Sequence, residues 1–560
     1  MDKQRVSSLC CLSMAAPELD LVLAYHKATK HHLNRYARGP GGLDWANQPD
    51  PFRRYAGAPL IQLDHIPAGE RPLYEEVFLH GRLPIRPLER SSLSQLFYDS
   101  LALSAWKQAG GVRWSLRVNP SSGNLHPTEG YLICGPIAGL CDTPMICHYA
   151  PQIHALEQRT EVSLEVWRTL TAGLPEGTIL IGLTSIHWRE AWKYGERAFR
   201  YCQHDAGHAI AAVTLAASAL GWTAMLLDDL STDSIAALLG LDNPDSADGP
   251  EPEEPECLLA VYPQGTTCKS RSLPAELIES FKRLHRLGTA NQLSLESVDW
   301  PIIEQVADAT RKSATNGYGD GQRPTGPTLP VGSAPISFRS IVHQRRSCLA
   351  LDGKTGLTRE AFYQILRKTI PGPGQFPFTV LSWPPMIHFG LFVHRIEGID
   401  PGLYCLVRDP SKLQPLRSAM KQEFAWEVPP GSPGELLLFR LLTGDARELA
   451  QQISCHQEIA ADGCFSLGMI AEYEAPLSRY GAWFYRRLFW EAGLIGQVLY
   501  LEAEASGIRG TGIGCYFDDP MHQVLGLDDR RFQDLYHFTM GGPVEDTRLT
   551  TLPAYSVPLT

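Results

Sequence analysis

Apolar and polar positions alternate along the chain in two ways, which together predict a mixture of helices and strands. Residues 93–106 carry apolar side chains at helical spacing, and residues 131–134 form a short apolar strand after a polar loop. Residues 178–184 are rich in β-branched side chains and predict a buried strand. Residues 274–287 begin at a proline and carry an apolar stripe, which predicts an amphipathic helix. Strand, long helix and strand in this order favour an α+β fold.

The chain contains a repeat. Residues 194–242 and 480–528 match without gaps when one is shifted by 286 positions (480 minus 194). Tyr194 then matches Tyr480, Gly207 matches Gly493, and both segments end in Leu-Gly-Leu-Asp. Because the register holds across a loop and a second helix, we predict two copies of one domain fused as an intramolecular pseudo-dimer. Small residues along the long helix predict close packing against its equivalent in the other copy.

Composition shifts predict where the domains begin and end. We expect an N-terminal extension at residues 1–80, a first domain at 81–310 and a second at 336–560. Residues 311–335 are rich in Gly, Pro, Ser and Thr and predict a linker. Residues 243–256 are acidic and proline-rich and predict a surface loop inside the first domain.

Charge and cysteine content exclude several classes of protein. The 560 residues carry a formal charge of −11, which argues against a nucleic-acid partner. The 13 cysteines are dispersed without a CxxC pair, so we expect no metal site and a cytoplasmic location. The histidines at 26, 31 and 32 are predicted to lie on a surface helix.

One stretch imitates a membrane span. Residues 206–227 are apolar, but the matching helix of the second copy carries Glu491, Glu502 and Glu504. Since charged side chains are costly inside a bilayer, we predict that neither helix crosses a membrane.

Residues 119–129 hold the richest cluster of polar chemistry, with two serines, an asparagine, a histidine and a glutamate. A surface loop with several turns is one interpretation of this composition. A functional site is the other, because a strand follows the loop directly.

Three weaker signals accompany this loop. Arg345-Arg346-Ser347 suits a phosphate monoester, although a solvated helix start is the plainer interpretation. The run at 510–515 is not a dinucleotide-binding fingerprint, but its glycines allow close approach of a flat ligand to the backbone. Lys193 and Tyr194 precede the long helix and are candidates for proton transfer.

Together these segments resemble the flavin-dependent nitroreductase superfamily, and within it the SagB/ThcOx-type dehydrogenases. The segment at 120–131 resembles that group's PSxGxLHPxExY loop, and Lys193-Tyr194 resembles its catalytic pair. Arg345-Arg346-Ser347 resembles the superfamily's phosphate clamp, and residues 402–404 resemble the group's PGLY turn. The resemblance covers about residues 81–310 and 336–560.

The resemblance implies FMN bound between the two copies. It assigns the phosphate to the clamp, the ring's pyrimidine edge to the serine and asparagine loop, and a backbone N–H near ring atom N5 to Gly514 or Cys515. The second copy has Ser382 to His388 in place of the loop and Arg479 in place of the lysine. We therefore expect one competent site and one decayed site per chain. The residues implied to contact the cofactor are Ser121, Ser122, Gly123, Asn124, His126, Arg345, Arg346, Ser347, Gly512, Gly514, Cys515 and Arg548.

The implied activity is removal of two electrons from a C–N or C–C bond, with Lys193 or Tyr194 taking the proton while hydride goes to the flavin. The substrate would be a small heterocycle or a modified peptide. An NAD(P)H-dependent reductase of nitroaromatics or quinones is an alternative, and a pseudoenzyme that binds flavin or a partner protein is another. The sequence leaves open whether the chain is monomeric or dimerises further.

Overall fold

The computed structural model describes residues 17–241, 251–315 and 336–555. These residues form sixteen α-helices and eighteen strands. The helices are α1 (Pro17–Ala28), α2 (Arg90–Tyr98), α3 (Leu164–Leu170), α4 (His187–Tyr194), α5 (Ala198–Ala219), α6 (Thr232–Leu239), α7 (Ala275–Phe281), α8 (Pro301–Ala309), α9 (Phe338–Gln344), α10 (Arg359–Lys368), α11 (Leu413–Ala419), α12 (Arg447–Ile453), α13 (Ile459–Asp462), α14 (Glu474–Tyr480), α15 (Phe484–Ala505) and α16 (Asp518–Leu525). The strands are β1 (Tyr55–Ala56), β2 (Leu60–Gln62), β3 (Leu103–Ala109), β4 (Val112–Arg117), β5 (Thr128–Cys134), β6 (Met145–Ala150), β7 (Ala155–Glu161), β8 (Ile179–Ser185), β9 (Trp222–Leu226), β10 (Glu254–Pro263), β11 (Thr289–Ala290), β12 (Ile387–Val393), β13 (Gly402–Leu406), β14 (Leu438–Thr443), β15 (Phe465–Glu472), β16 (Arg509–Ile513), β17 (Phe532–Gly541) and β18 (Thr550–Leu552).

Two antiparallel sheets repeat the same strand order. The first runs β2-β7-β6-β5-β8-β10-β9 and the second runs β14-β13-β12-β15-β17-β16. Apart from β2, which the N-terminal segment adds at one edge, each strand of the first sheet has a counterpart at the same place in the second. The predicted α+β fold of two fused domains is confirmed.

The long helices α5 and α15 are the axis of the repeat. Their ends are separated by the same 286 positions as the sequence match, from 198 to 484 and from 219 to 505. The two helices cross where both lack side chains: a Cβ atom on Gly207 would overlap the backbone of Trp490, and one on Gly493 would overlap the carbonyl of His204. The predicted close contact between equivalent helices is confirmed, and glycine is what allows it.

Several predicted boundaries were wrong. The helix predicted at 93–106 ends at Tyr98, because Asp99 caps it and the following apolar positions alternate as strand β3. The amphipathic helix predicted at 274–287 ends at Phe281. The predicted strand at 131–134 lies within β5, and the strand predicted at 178–184 is β8 shifted by one residue, from Ile179 to Ser185.

Two predicted surface segments are in part buried. Residues 243–250 of the acidic loop and residues 316–335 of the linker lie outside the described residues. The end of the acidic segment begins strand β10, where Glu256 is buried and pairs with Arg486 at 3.1 Å. Of the three histidines predicted to lie on a surface helix, only His26 lies in α1, and both His26 and His31 are buried.

Segments near both ends of the chain pair with the opposite half. Strand β18, near the C-terminus, pairs with β3 of the first half, and Leu73 of the N-terminal segment pairs with Ser337 of the second. The halves are therefore interlocked as well as packed along the two long helices.

Candidate functional site

The polar loop before β5 is held in shape by its own side chains. Asn124 donates its Nδ2 to the Ser115 carbonyl at 2.8 Å, and its Oδ1 lies 3.0 Å from Nε2 of His126. The backbone N–H of His126 donates to Oγ of Ser121 at 2.8 Å. Gly123 has a φ of 59°, a conformation that favours glycine. The predicted ring-facing side chains are thus partly used to build the loop, which is fixed at the end of a central strand.

A buried carboxylate on α5 anchors this loop. Asp205 accepts the backbone N–H of Ser122 at 3.1 Å and its hydroxyl at 3.2 Å. Burial raises the pKa of Asp205 to about 7, while the hydrogen bonds from Ser121 and Ser122 act in the opposite direction. No motif in the sequence marks Asp205 for this role.

Lys193 and Tyr194 reach the same loop from the end of α4. A Cβ atom on Gly123 would lie 2.6 Å from the Tyr194 hydroxyl and 3.2 Å from Nζ of Lys193. Burial raises the pKa of the Tyr194 phenol well above its usual value, and Glu190 adds to this shift. Tyr194 therefore keeps its proton at neutral pH.

Glu190 lies one helical turn before Tyr194 and is fully buried, with Lys193 and Ser121 as the groups that favour its ionised form. Burial raises its pKa well above the usual value, and the nearby Asp205 raises it further. Two carboxyl groups that resist ionisation thus lie under the loop and the Lys-Tyr pair. Glu190 is four residues before Tyr194 on the same helix, and Asp205 lies on the next helix. Only the folded structure shows that all three side chains meet.

The second half contributes a buried arginine, Arg345, and a half-buried one, Arg346, to the same region. Arg345 donates to the carbonyl of Arg117, four residues before Ser121, at 3.0 Å. Arg346 donates to the Ser104 carbonyl at 3.2 Å. Both guanidinium groups thus lie against strands β3 and β4 of the first half.

Tyr500 connects the clamp to strand β16. Its hydroxyl accepts from Ser347 Oγ at 3.0 Å and from the Gly512 backbone N–H at 2.9 Å. A Cβ atom on Gly512 would overlap the hydroxyl of Tyr536, so a side chain there would displace that ring.

Two further cations act on Arg346 through their charge, although Arg509 pairs with Glu545 at 2.7 Å and Lys107 donates to Thr551 at 2.7 Å. Burial lowers the pKa of Arg346 to about 10, and Arg345 and Arg509 contribute to the shift. Burial and Arg346 also lower the pKa of Lys107. Lys107 and Arg509 were missed in the sequence because they lie on strands far from the Arg-Arg-Ser motif.

Gly514 of the second half contacts two side chains of the first half. Its carbonyl accepts from the Tyr201 hydroxyl at 3.0 Å and from Arg197 at 3.2 Å. The Tyr201 ring lies 4.5 Å from that of Tyr194, and it occupies the space where a Gly514 side chain would lie. Gly514 and its neighbour Cys515 are therefore adjacent to the Lys-Tyr pair.

Arg548 is not brought to this cluster. Its side chain is 85% exposed and donates to Asp546, two residues earlier, at 2.8 Å. An exposed arginine satisfied by a local carboxylate has no described contact with Arg345 or Arg346. The sequence-based placement of Arg548 at the phosphate is not supported by this geometry.

We call this region the loop-121 face. It comprises Ser121–His126, Lys193, Tyr194, Asp205, Arg345–Ser347 and Gly512–Cys515.

The opposite junction between the halves is the loop-382 face. It comprises Asp228, Ser382–His388, Arg408, Arg479, Tyr480, Arg487 and Glu491. Here Glu491 accepts the backbone N–H of Met386 at 3.0 Å and pairs with Arg408 at 2.7 Å. Asp228 pairs with Arg487 at 2.6 Å and accepts from Ser382 at 3.0 Å. The buried carboxylates of the loop-382 face are thus each paired with a buried arginine.

An open cavity of about 540 Å³ lies apart from the residues of both faces. His394 is a titratable group in its lining, but its Nε2 bonds to the Ala460 carbonyl and burial lowers its pKa to about 4. Among the described residues no three His, Cys, Asp or Glu side chains are grouped to hold a metal ion. In the same ranges no helix combines the length and apolarity needed to cross a membrane.

Comparisons with known proteins agree with this architecture. Residues 102–261 match the sequence profile of the Nitroreductase family. A search of curated proteins found no match to the chain.

Among solved structures, a protein from Anabaena variabilis assigned as a candidate nitroreductase is 22% identical, with a TM-score of 0.65, and the match covers 94% of this chain and 99% of that one. A candidate nitroreductase from Ralstonia eutropha is 17% identical with a TM-score of 0.25, covering 38% of this chain and 94% of that one. The E. coli microcin synthetase complex McbBCD is 18% identical with a TM-score of 0.27, covering 45% and 84%. The Anabaena structure shows that this chain has the nitroreductase-like fold across both halves.

Proposed function

We propose that the chain is an FMN-dependent oxidoreductase that binds one FMN at the loop-121 face. The observation that carries this proposal is the meeting of four sequence motifs, two from each half, in one place. Loop 121–126 and Lys193-Tyr194 come from the first half, while Arg345-Arg346-Ser347 and the 512–515 segment come from the second. The match of residues 102–261 to the Nitroreductase family supports the same class of chemistry.

The arginines fit a phosphate group. Arg345 is 4% exposed, and its Nε has no hydrogen-bond partner. Neither Arg345 nor Arg346 has a carboxylate within 4.0 Å among the described residues, although Glu504 interacts with both at longer range. Burial lowers the pKa of both guanidinium groups, because their charge is incompletely compensated. A dianionic phosphate monoester would supply that compensation.

The opposite end of the face fits the polar edge of a ring. Gly123 and Gly514 let the rings of Tyr194 and Tyr201 pack directly against the backbone of the two segments. Asn119 Oδ1 and His126 Nδ1 are buried without partners near the start and end of the loop. Buried polar atoms without partners are costly, so a ligand that pairs with them would be favoured.

FMN, when bound, accepts or returns two electrons as hydride. The protein's own groups then handle protons and position. Tyr194 keeps its phenolic proton at neutral pH and is a donor, whereas Asp205, with a pKa of about 7, exchanges a proton in that range. Lys193 supplies a nearby amine, and Asp205 fixes the loop through Ser122.

Within this class we favour a dehydrogenase of the SagB/ThcOx type that oxidises a C–N or C–C bond in a small heterocyclic or peptide-derived substrate. The Lys193-Tyr194 pair and the loop at 120–131 support this choice. An NAD(P)H-dependent nitro or quinone reductase is the second candidate, supported by the match to the Nitroreductase family.

The purified protein tests the proposal. We expect a yellow protein with a flavin absorbance spectrum, whereas a colourless protein that takes up no added FMN would overturn the proposal. Anaerobic addition of NADPH separates the candidates, because rapid bleaching indicates a reductase and persistence of the yellow colour indicates a dehydrogenase.

Lys193→Ala tests the role of the amine. Because Lys193 lies beside the loop and away from the clamp, we expect the variant to retain flavin and to lose turnover. Flavin content and steady-state rate on the same sample provide the readouts. Unchanged turnover with full flavin content would remove Lys193 from the mechanism.

A further inference from the structure

Two cysteines that are distant in sequence meet beside the loop-121 face. Cys455 lies between α12 and α13, and Cys515 follows strand β16. Their Sγ atoms are 3.0 Å apart, and both side chains are half-buried, so solvent reaches the pair. A disulfide needs an S–S separation of about 2.05 Å, so closing the pair requires a movement of about 1 Å.

The surroundings of Cys515 favour its thiolate form. His31 hydrogen-bonds the thiol, and because Nδ1 of His31 accepts the backbone N–H of Ala37, the neutral ring carries its proton on Nε2. The hydrogen bond from Cys455, then His31 and the charge of Arg197, lower the pKa of Cys515 to about 5, against the effect of burial. The pKa of Cys455 is raised in turn. One thiol is thus activated, and its neighbour remains protonated.

The loop that carries Cys455 is fixed against Cys515. Nε2 of Gln457 donates to the carbonyls of Ser454 and Cys515, both at 2.8 Å. Cys455 and His456 have φ angles of 53° and 60°, a conformation that residues other than glycine rarely adopt. The two thiols are therefore held together by the fold and do not depend on a chance approach.

The charged and titratable groups around the pair come from several elements. His31 follows α1, Tyr36 hydrogen-bonds Cys455 from the same N-terminal segment, Arg197 precedes α5, and Asp518 begins α16. Arg197 pairs with Asp518 at 3.0 Å, so only part of its positive charge acts on the thiols. The position that matches Cys515 in the first half is Asp229 (515 minus 286), so the other junction has no equivalent pair.

We propose that Cys455 and Cys515 are a redox-active dithiol that reduces low-molecular-weight disulfides. The Cys515 thiolate attacks one sulfur of the disulfide RSSR, forms a mixed disulfide and releases RS⁻. The Cys455 thiol then loses its proton and attacks Sγ of Cys515, which releases the second RS⁻ and forms the Cys455–Cys515 disulfide. The two cysteines lose two electrons, RSSR gains two, and protons from Cys455 and solvent yield two RSH.

This site goes beyond the proposed flavin function and does not depend on it. Cys515 is adjacent to Gly514, so the pair borders the loop-121 face, but thiol–disulfide exchange needs no flavin. The readout below follows sulfur only, so its failure leaves the flavin proposal standing, and the reverse also holds.

The test uses the reduced full-length protein and oxidised glutathione as the probe, followed by alkylation of free thiols and peptide mass spectrometry. We expect the wild type to form a peptide cross-linked through Cys455 and Cys515, without retained glutathione. Cys455→Ser should stop at a glutathione adduct on Cys515, and Cys455→Ala should do the same if the serine variant is poorly folded. Cys268→Ser, which removes a separate half-exposed thiol, is the matched control and should form the cross-link as wild type does.

Two results would overturn the proposal. One is a wild type in which both thiols remain free after the incubation. The other is a folded Cys455 variant that forms no adduct on Cys515. A rate measurement adds a direct comparison: at pH 6 Cys515 should react with the disulfide roughly tenfold faster than Cys268, because a larger thiolate fraction outweighs its lower intrinsic nucleophilicity. A faster Cys268 would also contradict the proposal.

Discussion

The two junctions between the halves are built on matched positions but differ in how their buried carboxylates are compensated. One carboxylate is in an ion pair and the other is not. Asp205 and Glu491 are 286 residues apart, and each accepts backbone N–H groups from the loop before a central strand, from Ser122 on one face and from Met386 on the other. On the loop-382 face Arg408 completes an ion pair with Glu491. On the loop-121 face Asp205 has no ion pair within 4.0 Å among the described residues, and burial raises its pKa to about 7.

A second matched pair shows the same contrast. Gly514 on the loop-121 face corresponds to Asp228 on the loop-382 face (514 minus 286). Gly514 offers only a backbone carbonyl to Tyr201, whereas the Asp228 side chain binds Arg487 and Ser382. One junction is closed by ion pairs within the chain, and the other keeps uncompensated groups. A duplicated fold can therefore devote one interface to stability and the other to a ligand.

The largest expected effect concerns the closed junction. Glu491→Gln leaves the fully buried guanidinium of Arg408 without its counter-charge, which costs about 3–5 kcal/mol of unfolding free energy. Urea denaturation followed by circular dichroism measures the change. A loss below about 1 kcal/mol would show that the ion pair does not hold this face together.

Asp205→Asn is the matched change on the other face. Above neutral pH we expect it to raise the free energy of unfolding, whereas Glu491→Gln lowers it. The carboxyl of Asp205 has a pKa of about 7 when folded, against a usual value of 3.8, so folded protein keeps a proton that unfolded protein releases. Its contribution to stability is therefore lost as pH rises from about 4 to 7, by up to roughly 4 kcal/mol. Asparagine abolishes this slope, and denaturation at pH 5 and pH 8 measures it. An unchanged slope in the variant would contradict the shifted pKa.

The arginines of the loop-121 face are expected to contribute to FMN affinity. Arg346→Ala should weaken FMN binding roughly 10- to 100-fold, because hydrogen bonds to a charged group contribute about 1.5–3 kcal/mol. Arg548→Ala is the control and should bind FMN as wild type does, since that arginine is exposed and pairs with Asp546. Fluorescence titration of the flavin-free protein provides both constants. Equal losses in the two variants would return Arg548 to the site.

The smallest effect is expected at the loop-382 face. Ser382→Ala removes one hydrogen bond to Asp228 on a junction that we assign no flavin, so FMN content should stay within about twofold of wild type. Ser122→Ala is its counterpart and should lower FMN affinity several-fold by loosening the loop. Equal flavin loss in both variants would argue for two working sites.

The repeat and the crossing of its helices could be predicted from sequence because both depend on local pattern. The register of small residues in α5 and α15 is visible without a structure, and glycines at 207 and 493 mark the point of contact. The overlong helix predicted at 93–106 failed because apolar spacing does not separate the end of a helix from a strand that follows it directly.

The candidate site was predicted only where its residues lie in motifs. Lys107 and Arg509 act on Arg346 from distant strands, and Cys455 meets Cys515 across 60 positions (515 minus 455), so no local pattern marks them. The burial of Glu190 beside Asp205 depends on tertiary packing. Arg548 was predicted to bind the phosphate from its charge alone. The sequence does not show that Asp546, two residues earlier, pairs with this arginine.

The flavin-to-chain ratio tests the central claim most directly. Protein saturated with FMN, freed of excess by gel filtration and then denatured, gives the ratio from flavin absorbance and amino-acid analysis. The electrostatic contrast between the junctions predicts about one FMN per chain, lost in Arg346→Ala and kept in Ser382→Ala. A ratio near two, or no flavin retained by the wild type, would contradict it.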